Sequence, residues 1–390
     1  MIRTPNIKKG RVDLTDCRYV EKQTFEKWTR RATVLRGDVL LTREAPMGEA
    51  GLVNFDDTVF LGQRIMQYRV NPEKLDSNYL LYSFLSPDLQ FQFRRHEGSG
   101  SIVSHIRVPD CSEFELSLPP LEKQKKIANT LSSLDEKIEL NNRINVELKM
   151  MAKTLYEYWF VQFDFPFDFA QGKPDANGKP YKSSGGRMVY SSILKREIPE
   201  GWAAKPLSSI TNVSNDSLNP ADTPDKAFKH FSIPVFDATS TYGIELGGTI
   251  GSNKFTVEET DLLVSKLNPW FNRVVYAIDE EDQICSTEFI VWRSSDASIK
   301  NFLYLIATSS QFIAYCTQSA TGTSNSHKRV NPTVMMRFSV PFKREIVEIF
   351  GKKIAQILKQ LIINQRENTK LAELRDWLLP MLMNGQVTVK

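Results

Sequence analysis

The sequence predicts an α/β (α+β) chain with a pseudo-twofold internal repeat: two mixed α/β domains separated by two long antiparallel coiled-coil helices. Three observations carry this. From Leu118 to Phe160, apolar residues recur at alternating steps of four and three: Ile127, Leu131, Leu134, Ile138, then Leu148, Leu155 and Trp159. That is the 3.5-residue seam of a coiled coil. Asn141 and Asn145 occupy the same seam near its middle, where a buried Asn lowers stability but fixes register. The seam also has an echo 223 residues on: Phe350, Ile354, Ile357, Leu361, Asn364, Asn368, Leu371, Leu378 and Leu382. Both Asn recur in place, and a matched pair of polar exceptions marks an internal repeat more sharply than matched leucines do.

Bulk properties bound the rest. A length of 390 residues is enough for two or more domains, and 41% hydrophobic content supports real cores. The net charge of +4, from 50 basic and 46 acidic residues, is too small to argue for a nucleic-acid partner by itself. Cys17, Cys111, Cys285 and Cys316 are scattered without a CxxC pair. They read as reduced thiols of a cytoplasmic protein, not as a zinc site. The stretch MIRTPNIKKGRVDL lacks the apolar core of a signal peptide, and no apolar run is long enough to span a membrane.

Taken in order, residues 1–118 read as the first, strand-rich domain. Asp38 to Thr42 is a short apolar strand, Arg64 to Val70 alternates with period two, and Tyr79 to Phe93 is helical. Gly98 to Ser101 is a loop followed by His105-Ile106-Arg107, and Phe114 to Leu118 leads into the first long helix, residues 119–160. Pro119 and Pro120 suit its start, where a missing N–H costs nothing. Residues 161–197, rich in Gly, Pro, Ser and Asp, are a linker whose aromatics pin it to a surface. Residues 198–342 form the second domain. Thr260 to Ser265 answers the strand at Asp38, Phe302 to Leu305 answers the helix at Tyr79, and Gly322 to Val330 answers Gly100 to Val108. The second long helix, residues 343–385, stops near Asn384-Gly385. Two domains that differ in sequence, held by helices that match, suit a split target with two different halves.

These words resemble the specificity subunit of a type I restriction–modification enzyme over nearly the whole chain. The most specific pieces are LPPLEKQKKIA, TLYEYWF, GKPYKSSGGRMVY, REIPEGW, TGTSNSHKRVNP and LAELRDWLLPMLMNGQ. The resemblance implies two target-recognition domains, each reading half of a bipartite double-stranded DNA sequence. It implies that this chain is non-catalytic and carries no cofactor. Two modification subunits would use S-adenosylmethionine to methylate adenine, and restriction subunits would use ATP and Mg to translocate and cut. The specificity subunit of a combined restriction–methylation system, with fused catalytic chains, is the nearest alternative. One departure stands out. About thirty residues, Ile198 to Lys229, precede the stretch that answers Ile2 to Asn6, and the first domain has no counterpart, whereas family members carry that segment in both halves.

Candidate DNA-binding residues are the basic opening cluster Arg3, Lys8, Lys9, Arg11, Arg30 and Arg31, which would neutralise phosphates. To these are added Arg43 and Lys266, which follow the matched strands, and the loop residues His105, Arg107, His327, Lys328 and Arg329. Helix pairing is assigned to Asn141, Asn145, Asn364 and Asn368. Asn268-Pro269-Trp270-Phe271 resembles an amino-methyltransferase motif, the basis of a stand-alone methyltransferase as an alternative of a different class. Without a Gly-rich cofactor loop, a turn is the better reading. Pro109-Asp110 with Asp135-Glu136-Lys137 imitates a nuclease pattern, but the second half falls on the polar face of a helix. His96, His105, His230 and His327 have no metal-ligand spacing, and no GxxxxGK[ST] loop is present. A structural coiled-coil adaptor is the remaining alternative.

Overall fold

Lys9 and Gly10 both take left-handed backbone, φ 49° and 84°, and close a tight hairpin between strands β1 (Ile7–Lys8) and β2 (Gly10–Val12). This pair of positive φ values is what a two-residue hairpin turn requires. The structure, a computed structural model, describes residues 1–95, 105–175, 177–322 and 327–389. After helix α1 (Lys22–Trp28) come β3 (Val39–Thr42), β4 (Ala50–Leu52) and β5 (Ile65–Tyr68). The five strands form one sheet in the order β1-β2-β4-β3-β5, with β3 between β4 and β5 and buried along its whole length.

Helix α2 (Ser77–Leu85) and helix α3 (Pro87–Arg94) cover that sheet. The single helix expected from Tyr79 to Phe93 is therefore two. Pro87 has no N–H to continue the ladder, and Ser86 caps the second helix, accepting from Leu89 N at 3.5 Å. Val39, Leu41, Leu80, Phe84, Phe93 and Ile106 share the core beneath them. The expected loop at Gly98 to Ser101, and His96 beside it, lie outside the described residues.

Helix α4 runs Leu121–Tyr156 and passes into a π-turn over Glu157–Val161. Lys123 N and Gln124 N both donate to Pro120 O, so the helix begins where the double proline allows. The stretch from 161 to 197 carries short strands β6 (Pro166–Asp168), β7 (Lys173–Pro174), β8 (Lys179–Pro180), β9 (Met188–Ser191) and β10 (Arg196–Pro199). Phe163, Phe165 and Tyr181 of this stretch are core residues rather than surface pins, whereas Phe169 and Tyr190 are exposed. Phe163 and Phe165 are buried with Trp202, and Phe165 stacks on Tyr181 at 4.8 Å. Burying each such ring is worth about 1.5–3 kcal/mol, enough to hold a segment of this composition in place.

The second mixed region follows: β11 (Ala203–Pro206), β12 (Asn212–Ser214), β13 (Ser217–Leu218), β14 (Ala227–Phe231), α5 (Ile233–Thr239), β15 (Gly243–Leu246), β16 (Lys254–Thr256), β17 (Asp261–Ser265), β18 (Val274–Tyr276), β19 (Gln283–Cys285) and β20 (Phe289–Arg293). Helices α6 (Ala297–Ala307), α7 (Ser310–Ser319) and α8 (Pro332–Met336), strand β21 (Ser339–Phe342) and helix α9 (Arg344–Met383) complete it. Its sheets have the orders β12-β20-β17-β18, β13-β16-β19-β14-β15 and β11-β21.

The chain divides into two compact units, Met1–Glu139 with the residues from Lys370 onward, and Leu140–Thr369. The division passes through both long helices. Within the first unit, Ile127 and Leu131 of α4 share a core with Leu379 and Leu382 of α9, and Asp135 accepts from Tyr82 Oη and Arg375, each at 2.7 Å. Within the second, Asn145 Oδ1 accepts from Asn364 at 2.9 Å, and Asn141 donates to Asn368 Oδ1 at 3.0 Å. The order of these two pairs makes α4 and α9 antiparallel there. Each Asn pairs with the repeat mate of the other, which is the local signature of a twofold axis between them. No helix among the described residues is long and apolar enough to cross a membrane.

Candidate nucleic-acid interface

The same buried ion pair supports both halves. Asp38 opens β3, is 1% exposed, and is held by Arg69 Nε and Nη2, each at 2.7 Å, while Leu35 N donates to it at 2.7 Å. Asp261 opens β17, is 0% exposed, and is held by Arg293 Nε and Nη2, each at 2.9 Å, while Glu258 N donates at 2.8 Å. Burial alone would raise the Asp38 carboxyl. Arg69, the Leu35 N–H and Gln67 outweigh it and leave the group below the usual carboxylate range. The pairs fix where each core strand starts, and so where the basic residue after it lies. The following helix pairs are wired alike: Asp76 and Asp296 cap one helix, Ser86 and Ser309 the next.

Past each core strand, one backbone bond ties the basic loop down. Ile106 N donates to Arg43 O at 2.9 Å, and Val330 N donates to Lys266 O at 2.9 Å. Ile106 and Val330 are both buried. Structurally, then, Ile106 answers Val330. The sequence match of His105 with His327 and of Arg107 with Arg329 is two residues off this correspondence. Side chains have changed between the loops while the backbone anchor has stayed.

The candidate residues fall into two groups. Several guanidinium groups are already occupied. Arg3 pairs with Asp16 at 3.0 Å, Arg11 pairs with Glu139 and donates to Asp135 O, Arg107 is bidentate on Asp110, and Arg329 is bidentate on Glu288. Arg43 donates to the carbonyls of Ile106 and Gln63. Lys8, Lys9, Arg30 and Arg31 are exposed, Lys266 and Lys328 half-buried, and none of these six makes an ion pair among the described residues. His105 is half-buried and His327 exposed. In the second loop, Thr321 and Arg329 exchange both backbone bonds, 2.9 and 2.8 Å. Gly322 is required there, because a Cβ would lie 2.6 Å from His327 O. Residues 323–326 lie outside the described residues.

Asn268 is structural. Its N–H donates to Lys328 O at 2.7 Å and its Oδ1 accepts from Lys328 N at 3.0 Å, so it braces the basic loop. Asn268 and Asn272 take left-handed φ of 47° and 49° around a short turn over Pro269–Phe271, as the turn reading expects. Asp110 and Asp135, the imitation nuclease acids, are bound by Arg107 and by Tyr82 with Arg375. His230 is buried on β14 beside Glu245, and burial pulls its imidazole below the usual range.

Sequence reasoning missed the two Asp–Arg pairs and the exposed aromatics among the basic residues. Tyr19 is 97% and Trp28 50% exposed, flanked by Arg18, Arg30 and Arg31. Trp28 lines a groove of about 470 Å³ with Arg3, Phe60 and Arg64. Exposed rings beside arginines suit stacking on bases or sugars. Their interleaving in CRYVEKQTFEKWTRR was the available signal.

Similarity to known proteins agrees with this geometry. The family described as the type I restriction modification DNA specificity domain matches residues 19–150 and 199–376. The type I restriction enzyme MjaIX specificity subunit of Methanocaldococcus jannaschii is 25% identical over 97% of this chain and 86% of its own length. The type I restriction enzyme HindI specificity subunit of Haemophilus influenzae is 23% identical over 92% of this chain and 88% of its own length. The crystal structure of a type I restriction–modification system S subunit from M. genitalium shares the fold, with a TM-score of 0.55 at 17% identity, over 90% of this chain and 83% of that one. With its duplicated strand-and-loop scaffold and these matches across both halves, the chain belongs to the family of type I restriction–modification DNA specificity subunits.

Proposed function

We propose that this chain reads an asymmetric, bipartite double-stranded DNA target, each half of the repeat recognising one part, and directs partner subunits to it. The supporting observation is the repeated anchor, Ile106 N to Arg43 O and Val330 N to Lys266 O, which presents different side chains on one backbone scaffold. Two copies of one scaffold with different loops suit two different half-sites, and helices of fixed register suit a fixed spacing between them. Phosphates would be met by Lys8, Lys9, Arg30, Arg31, Lys266 and Lys328, which position the protein. Base edges would be read by loop side chains around His105 and His327, with Tyr19 and Trp28 packing against the duplex.

In this reading the chain does no covalent chemistry. Two modification subunits supply S-adenosylmethionine-dependent adenine methylation, and restriction subunits supply ATP- and Mg²⁺-dependent translocation and cleavage, in the cytoplasm. The test is to express the chain with its modification subunit and map methylated adenines by single-molecule sequencing. A split motif with two different halves is the expected result. A palindrome, a single half-motif or no methylation counts against two independent readers.

A further inference from the structure

Each half leaves its core strand through the same kind of turn. In the first unit Thr42 N donates to Glu49 O at 2.8 Å, and between them Ala45 and Gly48 take left-handed φ of 50° and 86°. In the second, Ser265 N donates to Arg273 O at 3.0 Å, and between them Asn268 and Asn272 take left-handed φ of 47° and 49°. Pro46 follows Ala45 and Pro269 follows Asn268, at the same offset of 223 residues that relates the helix seams. The frame is repeated, but its tip is not. The first turn carries Met47, half-buried. The second is one residue longer and carries Trp270 and Phe271, 38% and 58% exposed.

This aromatic tip is held firmly from behind. Phe271 N donates to Asn268 O at 3.0 Å and Asn272 N to Pro269 O at 3.1 Å. Pro269 is buried beside Ile313 and Cys316 of α7. The Arg273 guanidinium lies 4.5 Å from the Phe271 ring centre and is forked on Asp237 at 2.5 and 2.7 Å. Its charge is thus neutralised within the fold. The tip is also continuous with the basic loop. Leu267 forms an antiparallel bridge with Arg329, and Asn268 exchanges two hydrogen bonds with the backbone of Lys328. Lys266 and Lys328, which make no ion pair among the described residues, therefore share one small ladder with the exposed rings. Firmly held rings beside free ammonium groups complement a polyanion that offers apolar surface between its charges. Duplex DNA is such a partner, with base faces and thymine methyl groups between two rows of phosphates.

We propose that Trp270 and Phe271 are specificity-determining residues of the second half, making apolar contact with bases of one half-site while Lys266 and Lys328 meet the adjoining phosphates. The proposal rests on the DNA-reading function above and adds the residues that supply its salt-independent part. Met47 holds the equivalent place in the first half, so the two halves present apolar tips of different size.

The test uses the assembled complex and the split motif found by methylation mapping. Absence of that motif defeats the DNA-reading function and this inference together; the remaining outcomes bear on the inference alone. The double variant Trp270→Ala, Phe271→Ala is expected to bind the mapped duplex about tenfold more weakly or worse, as loss of a stacked ring does. The slope of log affinity against log salt should stay unchanged, because no phosphate contact is removed. Discrimination against base changes should fall in one half of the motif only. Trp270→Tyr, which keeps a flat ring, should bind nearly as the parent does. Trp270→Ala alone, which leaves Phe271 against Arg273, is the second variant should the double one unfold, and it is expected to show the same pattern to a smaller degree. Unchanged affinity, a changed salt slope, or equal loss of discrimination in both halves overturns the proposal. So does a folded variant that no longer assembles with its partner subunits, because the tip is then a protein contact.

Discussion

Asp261 and Arg293 meet in a bidentate pair, Nε to Oδ1 and Nη2 to Oδ2 at 2.9 Å each, with the carboxylate fully buried. The same arginine also holds Asp216 and Glu258. Removing one partner of such a pair leaves a buried charge uncompensated, which costs about 3–5 kcal/mol. Arg293→Met, which leaves the fully buried Asp261 carboxylate without its partner, is expected to lower the stability of the second unit by that order, measured by denaturant unfolding. Arg293→Lys is expected to recover little, because an ammonium cannot reproduce the fork. A loss below about 1 kcal/mol would show the pair to be dispensable.

The Asn ladder between α4 and α9 has a different energetic character. Asn145 and Asn364 are 6% and 3% exposed and hydrogen-bond to each other. Asn145→Leu leaves Asn364 buried with an unmet amide, at a cost of about 1–3 kcal/mol. The double variant Asn145→Leu, Asn364→Leu removes both polar groups and is expected to be near neutral or more stable. A double-mutant cycle by thermal unfolding would therefore show a coupling energy of about 1–3 kcal/mol. Additive losses would mean that the two amides act independently.

The parts of the fold that repeat locally were legible in the sequence. Seam residues such as Ile127 and Leu361, and the paired Asn, declare themselves through spacing within one helix and through their echo in the other. Arg69 and Arg293 did not, because each sits about thirty residues beyond its Asp and only sheet register brings them together. The true match of the basic loops was hidden for a similar reason. It rests on a backbone bond to Ile106 or Val330, while the visible His and Arg letters align two residues away. The aromatics of residues 161–197 read as surface pins because the stretch is rich in Gly, Pro, Ser and Asp, yet Phe163 and Phe165 join the core of the second unit.

Lys300 gives the second unit a pH signature. Its amine is buried on α6, lies 3.6 Å over the Tyr276 ring and donates to the carbonyls of Glu259 and Ala277. Burial pulls its pKa down to about 7, only partly opposed by Glu259 and Asp261. Between about pH 7 and the unfolded value of 10.5, the unfolded chain binds a proton that the folded one does not. Stability then rises with pH across that window and is insensitive to this group below it. Subtracting the curve of Lys300→Met from that of the parent, by denaturant unfolding at several pH values, should isolate this slope. Parallel curves would mean that the amine stays protonated in the fold.

Basic residues with and without protein partners should separate in DNA binding. Lys266 and Lys328 make no ion pair among the described residues, whereas Arg11 is held by Glu139 and Asp135 O. A lysine that displaces counterions from phosphate contributes about one unit to the slope of log affinity against log salt. Lys328→Ala or Lys266→Ala, measured in the assembled complex, should therefore reduce that slope by about one and weaken all sequences alike. Arg11→Ala should leave the slope unchanged and lower the thermal stability of the first unit, because its role is to tie the β1–β2 hairpin to α4. If Arg11→Ala instead changes the salt slope, the hairpin faces the duplex and the ion pair opens on binding. If neither lysine changes it, the phosphate contacts lie elsewhere, and Arg30 and Arg31 are the next residues to substitute.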